Sequence, residues 1–249
     1  MTLGAQLYTL REQCETLEDF ATSLQKVADI GYTTVQVSGT CAYEGEWLKE
    51  QLKQTGLRCV CTHYSPAELT ENPNAVIAKH KTFDCTRIGL GMMPGGIEKY
   101  DDFVTTFKPI CNTLKQQGCY LLYHNHAFEY TKSDDGRIYM DRLAEAFLPE
   151  EMGFTLDTYW IQAGGGDAAQ WIRKLAGRVP CIHLKDMSYE GEVRMAPVGE
   201  GNMNFEGILQ ACEDANAQYL LVEQDDCYDE DSFACLKKSY QNLKAMGLR

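Results

Sequence analysis

The segment TLEDFATSLQKVADIGYTTVQVSG, residues 16–39, contains the pattern that decides the fold. Its first part places apolar residues at the spacing of one helical face, which predicts an amphipathic helix. These residues are Leu17, Phe20, Leu24 and Val27. Gly31 stands where helices commonly end, and the following TTVQVSG (33–39) has the β-branched composition of a short strand. One helix followed by one strand is the repeating unit of α/β folds.

The same alternation of apolar strands and amphipathic helices continues along the whole chain. DDFVTTFKPICNTLKQQG (101–118) is a second amphipathic stretch, and Gly56, Gly118 and Gly177 follow predicted helices as Gly31 does. Eight segments have the composition of strands: GAQLYTL (4–10), TTVQVSG (33–39), LRCVCTH (57–63), TRIGLGM (86–92), CYLLYHNH (119–126), GFTLDTYW (153–160), VPCIHLKD (179–186) and YLLVEQD (219–225). With about eight helices between them, these strands predict an α/β fold, a single (β/α)8 TIM barrel that forms one domain over residues 1–249.

A doubly wound sheet also alternates strands with helices and is the rival architecture. Such sheets usually have fewer strands and often carry a glycine-rich phosphate loop after the first strand. The first predicted strand here ends in TLREQ (9–13), without such a loop. The GGG at 164–166 is interpreted as an ordinary loop. The barrel is therefore the preferred fold.

Polar residues follow the apolar part of one predicted strand after another. They are Gln36, His63, His124, His126, Asp157, His183, Lys185 and Glu223. In a TIM barrel the carboxyl ends of the strands line the active-site mouth, and His124 and His126 share a face because the strand period is two. Asp157, His183 and Glu223 are of types that bind metal ions, although each alone also has an ordinary explanation as a cap, packing or solvated residue. With a fourth ligand from strand five, such a nitrogen and oxygen set suits one divalent Mn²⁺, Zn²⁺, Co²⁺ or Fe²⁺ ion better than Ca²⁺.

The composition describes an acidic protein with 36 acidic and 23 basic residues and a net charge of −13. Nucleic acids and anionic membranes both require a concentrated basic surface, so both are disfavoured as partners. No apolar segment approaches the length of a membrane span. The N-terminal segment lacks the pattern of a secretory signal, so a cytoplasmic location is expected.

The 11 cysteines include no CxxC spacing, and most lie in apolar segments such as LRCVCTH. This distribution predicts small buried hydrophobic residues that stay reduced, and not a disulfide framework. His80, in AVIAKHKTF (75–83), has no ligand-like context and is predicted to lie on the surface.

At its strand ends the chain resembles the xylose isomerase-like TIM barrels, the sugar phosphate isomerase/epimerase superfamily that includes inosose dehydratase and the ketose 3-epimerases. The resemblance is weaker in the N-terminal half, where GAQLYTLRE and GYTTVQVSG carry it. The stronger motifs appear in the order of the family: YHNHAFEY (123–130), LDTYWIQAGGGD (156–167), IHLKDM (182–187), PVGEGNMNF (197–205) and LVEQDD (221–226).

The resemblance implies one divalent metal ion held by Glu, Asp, His and Glu on strands five to eight. The last three positions correspond to Asp157, His183 and Glu223, whereas the strand-five position carries His124 where the epimerases have Glu. His124 is therefore either the fourth ligand or a catalytic group, in which case Glu129 or water completes the metal site.

A second departure from the family lies on strand two, where Gln36 stands in place of the Glu of many relatives. Lys185 or Asp186 is a candidate partner that orients the imidazole of His183, since ligating imidazoles need one.

The implied function is a metal-dependent isomerase or epimerase of a sugar, a keto-sugar or an inositol derivative, acting through a metal-stabilised enediolate. A lyase or dehydratase with the same metal site and a sugar-binding barrel without turnover are the alternatives. A nuclease fits less well, because the acidic chain offers no basic surface for DNA. The oligomeric state is left open between a monomer and a homo-oligomer.

Individual roles follow from the strand ends together with this resemblance. The expected catalytic residues are His126, Lys185 and Glu223. The expected substrate-binding residues are His63, Gln36, Glu129 and Trp160, and the aromatic rings that could stack on a sugar also include Tyr123, Phe128 and Tyr159.

Overall fold

The computed structural model describes residues 1–248, in which eight parallel strands form a closed barrel, as predicted. The barrel order is β1-β2-β3-β4-β5-β6-β7-β10, and the antiparallel hairpin β8–β9 lies outside it. The strands are β1 (Thr2–Gln6), β2 (Thr34–Val37), β3 (Arg58–Tyr64), β4 (Arg87–Leu90), β5 (Tyr120–His124), β6 (Met152–Asp157), β7 (Cys181–Leu184), β8 (Asp186–Tyr189), β9 (Val193–Ala196) and β10 (Tyr219–Val222).

Helices cover the outside of the barrel between successive strands. They are α1 (Leu17–Ile30), α2 (Gly45–Thr55), α3 (Pro66–Glu71), α4 (Pro73–Thr82), α5 (Tyr100–Gln116), α6 (Tyr139–Ala146), α7 (Thr158–Ala163), α8 (Ala168–Lys174), α9 (Phe205–Asp214) and α10 (Ser232–Ala245). Helix α1 begins at a Thr16 cap, whose hydroxyl accepts from the Asp19 N–H, and ends at Gly31 with φ +117°. Its apolar face is buried as predicted except for Leu17, which lies in the first turn and is 41% exposed.

The interior of the barrel is filled by alternate residues of the strands. Cys61, Leu122, Cys181 and Leu221 pack together as a small apolar cluster inside it. Because strand side chains alternate between two faces, the residues two positions later also point inward, one layer nearer the carboxyl ends. Those residues are His63, His124, His183 and Glu223. The apolar layer therefore supports a polar layer directly above it.

Seven of the eight barrel strands end two or more residues earlier than the sequence predicted, and β3 is the exception. Strand β1 stops at Gln6, whose side chain accepts from the Tyr8 N–H and starts a 3-10 helix over Leu7–Gln13. Strand β6 ends at Asp157, which caps α7 by accepting from the Trp160 N–H at 3.0 Å. Strand β7 gives way to the hairpin β8–β9, which the sequence did not indicate.

The prediction that His80 lies on the surface is wrong, because its side chain is fully buried. Its Nε2 lies 2.9 Å from the Thr62 hydroxyl and its Nδ1 lies 2.9 Å from the Cys85 carbonyl oxygen. Thr62 of β3 and Cys85, two residues before β4, thus satisfy both ring nitrogens. The 11 cysteines are free thiols, and nine of them are buried, which confirms their assignment as small core residues.

None of the helices within residues 1–248 is long and apolar enough to cross a membrane.

Candidate metal centre

Four buried side chains converge at the carboxyl ends of neighbouring barrel strands. His124 ends β5, Asp157 ends β6, His183 lies in β7 and Glu223 follows β10. Each offers one ligand atom, and these atoms all lie within 4.8 Å of one another. Parallel strands at adjacent positions bring the four residues together although they are up to 99 residues apart in sequence, between 124 and 223.

The atoms that face one another in this cluster fit a divalent ion. His124 Nε2 lies 3.2 Å from Asp157 Oδ2, and His183 Nδ1 lies 2.8 Å from Glu223 Oε2. The contacts of His183 Nδ1 and Glu223 Oε2 are with each other, with Asp157 and with Lys185, all of them ionisable groups. Two nitrogens with two carboxylate oxygens form a ligand set suited to Mn²⁺, Zn²⁺, Co²⁺ or Fe²⁺.

In each imidazole the outer nitrogen, the one that does not face the cluster, contacts a residue from another part of the barrel. His124 Nδ1 lies 3.0 Å from the Gly91 carbonyl oxygen, and His183 Nε2 lies 2.8 Å from Gln36 Oε1. Both acceptors require a proton on the outer nitrogen, which leaves the inner nitrogen of a neutral ring free to bind a metal. Gln36, expected to bind substrate, is fully buried and contacts His183 instead. Its position supports the imidazole rather than lining the cavity.

Lys185 places an ammonium group among three carboxylates. Its Nζ lies 3.1 Å from Asp157 Oδ2, 3.0 Å from Glu223 Oε2 and 2.8 Å from Asp225 Oδ1. Burial alone would lower the pKa of Lys185, but these three charges outweigh it and raise the pKa. Lys185 therefore stays protonated and does not orient His183. The role of Asp225 was missed in the sequence, where the run VEQDD gave no sign of which acid turns inward.

The same charges also shift the pKa values of the residues in the cluster. Burial would raise the pKa values of Asp157 and Glu223, but Lys185 and the neighbouring imidazoles hold both well below the ordinary range. Burial would lower the pKa of His183, but Glu223 and Asp157 raise it to about 9. Both carboxylates are therefore ionised at neutral pH, and a metal ion bound here would have to displace the His183 proton.

A cavity of about 410 Å³ opens above this cluster and is lined by His63, His124, His126, Trp160, Lys185 and Glu223, among others. The His126 ring stacks on Phe128 at 4° and 5.7 Å and lies 5.4 Å from the Trp160 ring. Burial and nearby His124 lower the pKa of His126 to about 3, so this imidazole is neutral. His63 Nε2, His126 Nδ1 and Trp160 Nε1 have no hydrogen-bond partner within residues 1–248. These three atoms are themselves buried, although the three residues line the cavity.

Glu129 lies behind the cavity wall and is fully buried. Its carboxylate accepts hydrogen bonds from the Tyr123 hydroxyl and from the His126 backbone N–H, the latter at 2.8 Å. Tyr123 is also buried, with its ring 5.5 Å from Phe103 of α5 on the outer side of the barrel. Neither residue belongs to the metal cluster or lines the cavity. Glu129 therefore supports the backbone of His126 from behind the cavity wall.

Asp186 is directed away from His183 and organises the loop after β9. Its carboxylate accepts from the backbone N–H groups of Gly199 at 2.9 Å and Gly201 at 3.0 Å, and from Met187 and Met203. A Cβ atom on Gly201 would lie 2.4 Å from Asp186 Oδ1. The motif PVGEGNMNF therefore needs glycine there because the carboxylate approaches the backbone closely.

A second cavity of about 430 Å³ lies at the opposite, amino-terminal end of the barrel, where Arg58 begins β3 and Arg87 begins β4. It contains no metal-ligand cluster among the described residues. The candidate metal ligands therefore lie at the carboxyl end of the barrel.

Residues 24–239 match the family model of the xylose isomerase-like TIM barrel. The chain belongs to this family. An inosose dehydratase of Clostridium perfringens is 27% identical to it over 126 residues. That alignment covers 44% of this chain and 41% of the dehydratase, so the match spans less than half the length of either protein.

Several solved structures share the fold over nearly the whole chain. A sugar phosphate isomerase/epimerase from Parabacteroides distasonis superposes with a TM-score of 0.82 at 22% identity, covering 99% of this chain and 94% of that one. A probable 3-DHS dehydratase from Bacillus anthracis gives a TM-score of 0.77 at 19% identity, covering 98% and 99%. At these identities the superpositions establish the fold alone.

Proposed function

We propose that this xylose isomerase-like barrel is a metal-dependent enzyme that moves a proton at the carbon beside the carbonyl of a keto-sugar or keto-inositol, as an isomerase or epimerase. One observation carries the proposal. The ligand atoms of His124, Asp157, His183 and Glu223 converge within 4.8 Å, and these side chains adjoin a cavity large enough for a sugar. A packing role would not require four buried polar groups to meet at the mouth of a barrel.

The four residues would hold one divalent ion, whose chemistry is to polarise a substrate carbonyl and offset the negative charge of an enediolate. Gln36 and the Gly91 carbonyl fix the two imidazoles. Lys185 keeps the neighbouring carboxylates ionised and adds a fixed positive charge near the substrate oxygens.

His126 is the proposed proton-transfer group, because its imidazole is neutral and lines the cavity beside His124. Glu223 also lines the cavity and is the second candidate for this role. Trp160 would stack on the sugar, and His63, which also lines the cavity, would contact a hydroxyl group. Glu129 acts as a positioning residue by holding the backbone of His126.

A dehydratase on the same site is the second candidate, and one observation favours it. His124 replaces the strand-five glutamate, so the paired glutamates that epimerases use on two faces of an enediolate are absent at these positions. A single base beside a protonated Lys185 suits loss of water next to a ketone. The partial match to inosose dehydratase agrees with this alternative.

Deuterium uptake from D₂O tests the step that these reactions share. The protein loaded with Mn²⁺, Co²⁺ or Zn²⁺ is incubated with L-ribulose, D-allulose or an inosose, and products are analysed by mass spectrometry and chromatography. Deuterium in an epimer or isomer supports the isomerase, and loss of water supports the dehydratase. Asp157→Asn is the matched inactive control. Binding of these compounds without exchange under any metal would instead indicate a sugar-binding barrel.

A further inference from the structure

Arg11 extends from the 3-10 helix after β1 to the rim of the same cavity. Its Nη1 donates to the carbonyl oxygen of Asp225 at 2.8 Å and to that of Tyr8 at 3.2 Å. The guanidinium carbon lies 4.8 Å from the centre of the Tyr8 ring. These contacts connect the segment after β1, the first barrel strand, with the segment after β10, the last one. They also hold the guanidinium in one place.

This guanidinium has no carboxylate partner among residues 1–248, although the chain has 36 acidic and only 23 basic residues. Its contacts are with backbone oxygens through Nη1, which leaves the N–H groups of Nε and Nη2 available. The side chain is half-buried. A partly desolvated arginine that is pre-oriented and unpaired is suited to bind an oxyanion through two parallel hydrogen bonds.

The charges around the cavity indicate which oxyanion. The other cationic side chain that lines it, Lys185, is already engaged by Asp157, Glu223 and Asp225. With a divalent ion in place, the charges of those three carboxylates are balanced by the ion and Lys185. The positive charge of Arg11 then has no counterpart, and a ligand with one negative charge compensates it.

We propose that Arg11 binds a carboxylate of the substrate, so that the substrate is an acidic keto-sugar or keto-polyol. This assignment rests on the proposed function, because it names the substrate class of the same cavity. The carbonyl end of such a substrate lies at the metal cluster and its carboxylate lies at the rim. A neutral sugar would leave the charge of Arg11 unpaired in the complex.

Calorimetric titration with non-reacting probes tests this assignment. D-gluconate and its neutral amide, D-gluconamide, have the same shape and differ in one charge. We expect the Mn²⁺-loaded protein to bind gluconate more tightly by about 10-fold or more, the range of a charge-assisted hydrogen bond. Because a carboxylate also binds metal ions, the deciding comparison is with Arg11→Gln, in which the preference should fall to about 2-fold or less. Arg11→Lys should retain part of it.

Arg58→Gln, at the far end of the barrel, is the matched control and should keep the full preference. Equal binding of the two probes by the wild type, or an unchanged preference in Arg11→Gln, would overturn the assignment. D-fructose 6-phosphate tested against D-fructose forms a separate arm. A larger preference for this phosphate than for gluconate would show that the rim binds phosphate and overturn the carboxylate. Absence of Mn²⁺ uptake would contradict the proposed function, whereas the probe comparison repeated without metal still tests Arg11.

Discussion

Replacing Glu129 by glutamine should make the protein more stable at high pH but not at low pH. Burial raises the pKa of Glu129 from 4.5 to about 7, against the lowering effect of its hydrogen bonds with Tyr123 and the His126 backbone. A carboxyl whose pKa is raised on folding stabilises the fold fully below its unfolded pKa. That contribution is lost as the pH rises through the folded value.

The size of the effect follows from the shift. One pKa unit corresponds to about 1.4 kcal/mol, so ionisation of Glu129 should cost up to about 3 kcal/mol of stability above pH 7. Glutamine keeps the shape, can accept from the His126 N–H and can donate to the Tyr123 hydroxyl. Glu129→Gln should therefore match the wild type near pH 4 and exceed it by up to about 3 kcal/mol near pH 8.

Urea unfolding at intervals of pH measures the difference between the two free energies of unfolding. Glu98→Gln serves as the control, because Glu98 is exposed and forms no ion pair within the described chain. The difference in free energy of unfolding between Glu98→Gln and the wild type should not rise with pH in this way. If the free energy of unfolding gained by Glu129→Gln is constant with pH, or falls as the pH rises, Glu129 is not a buried carboxyl with a raised pKa.

Three further changes test the site. Gln36→Met removes the acceptor of His183 and should weaken Co²⁺ affinity by about 10–100-fold in a competition titration; unchanged affinity would show that Gln36 does not support the imidazole. Gly201→Ala places a Cβ 2.4 Å from Asp186 Oδ1, so the melting temperature should fall, whereas wild-type stability would contradict this loop packing. His126→Ala should keep its bound metal but lose about 10²–10⁴-fold in turnover of any keto-sugar the wild type converts; full activity would remove His126 from catalysis.

The barrel and the polar layer at its mouth could be predicted because both are local patterns. Apolar strands with a period of two place Cys181 and His183 on the same inner face, as they do Leu221 and Glu223. Any parallel barrel with these strand ends brings Asp157 beside His183, its register partner. The pattern of strand ends was therefore enough to expect Asp157, His183 and Glu223 together, but it left the strand-five ligand open between His124, Glu129 and water.

The remaining features depend on partners from distant parts of the chain. His80 is buried because Thr62 and Cys85 satisfy its ring, and the segment AVIAKHKTF alone cannot show either contact. The inward turn of Asp225 depends on Lys185, which lies 40 residues away in sequence. The rim position of Arg11 depends on β1 ending early at the Gln6 cap, whereas the sequence alone favoured a longer strand.

Titration with Co²⁺, followed by visible absorption and by elemental analysis, tests the metal centre most directly. The cluster of His124, Asp157, His183 and Glu223 predicts about one ion per chain, with a spectrum of mixed nitrogen and oxygen ligation. Asp157→Asn and His124→Ala should each weaken this uptake strongly, while Glu98→Gln should leave it intact. No uptake by the wild type, or uptake that survives unchanged in Asp157→Asn, would contradict a metal centre at these four residues.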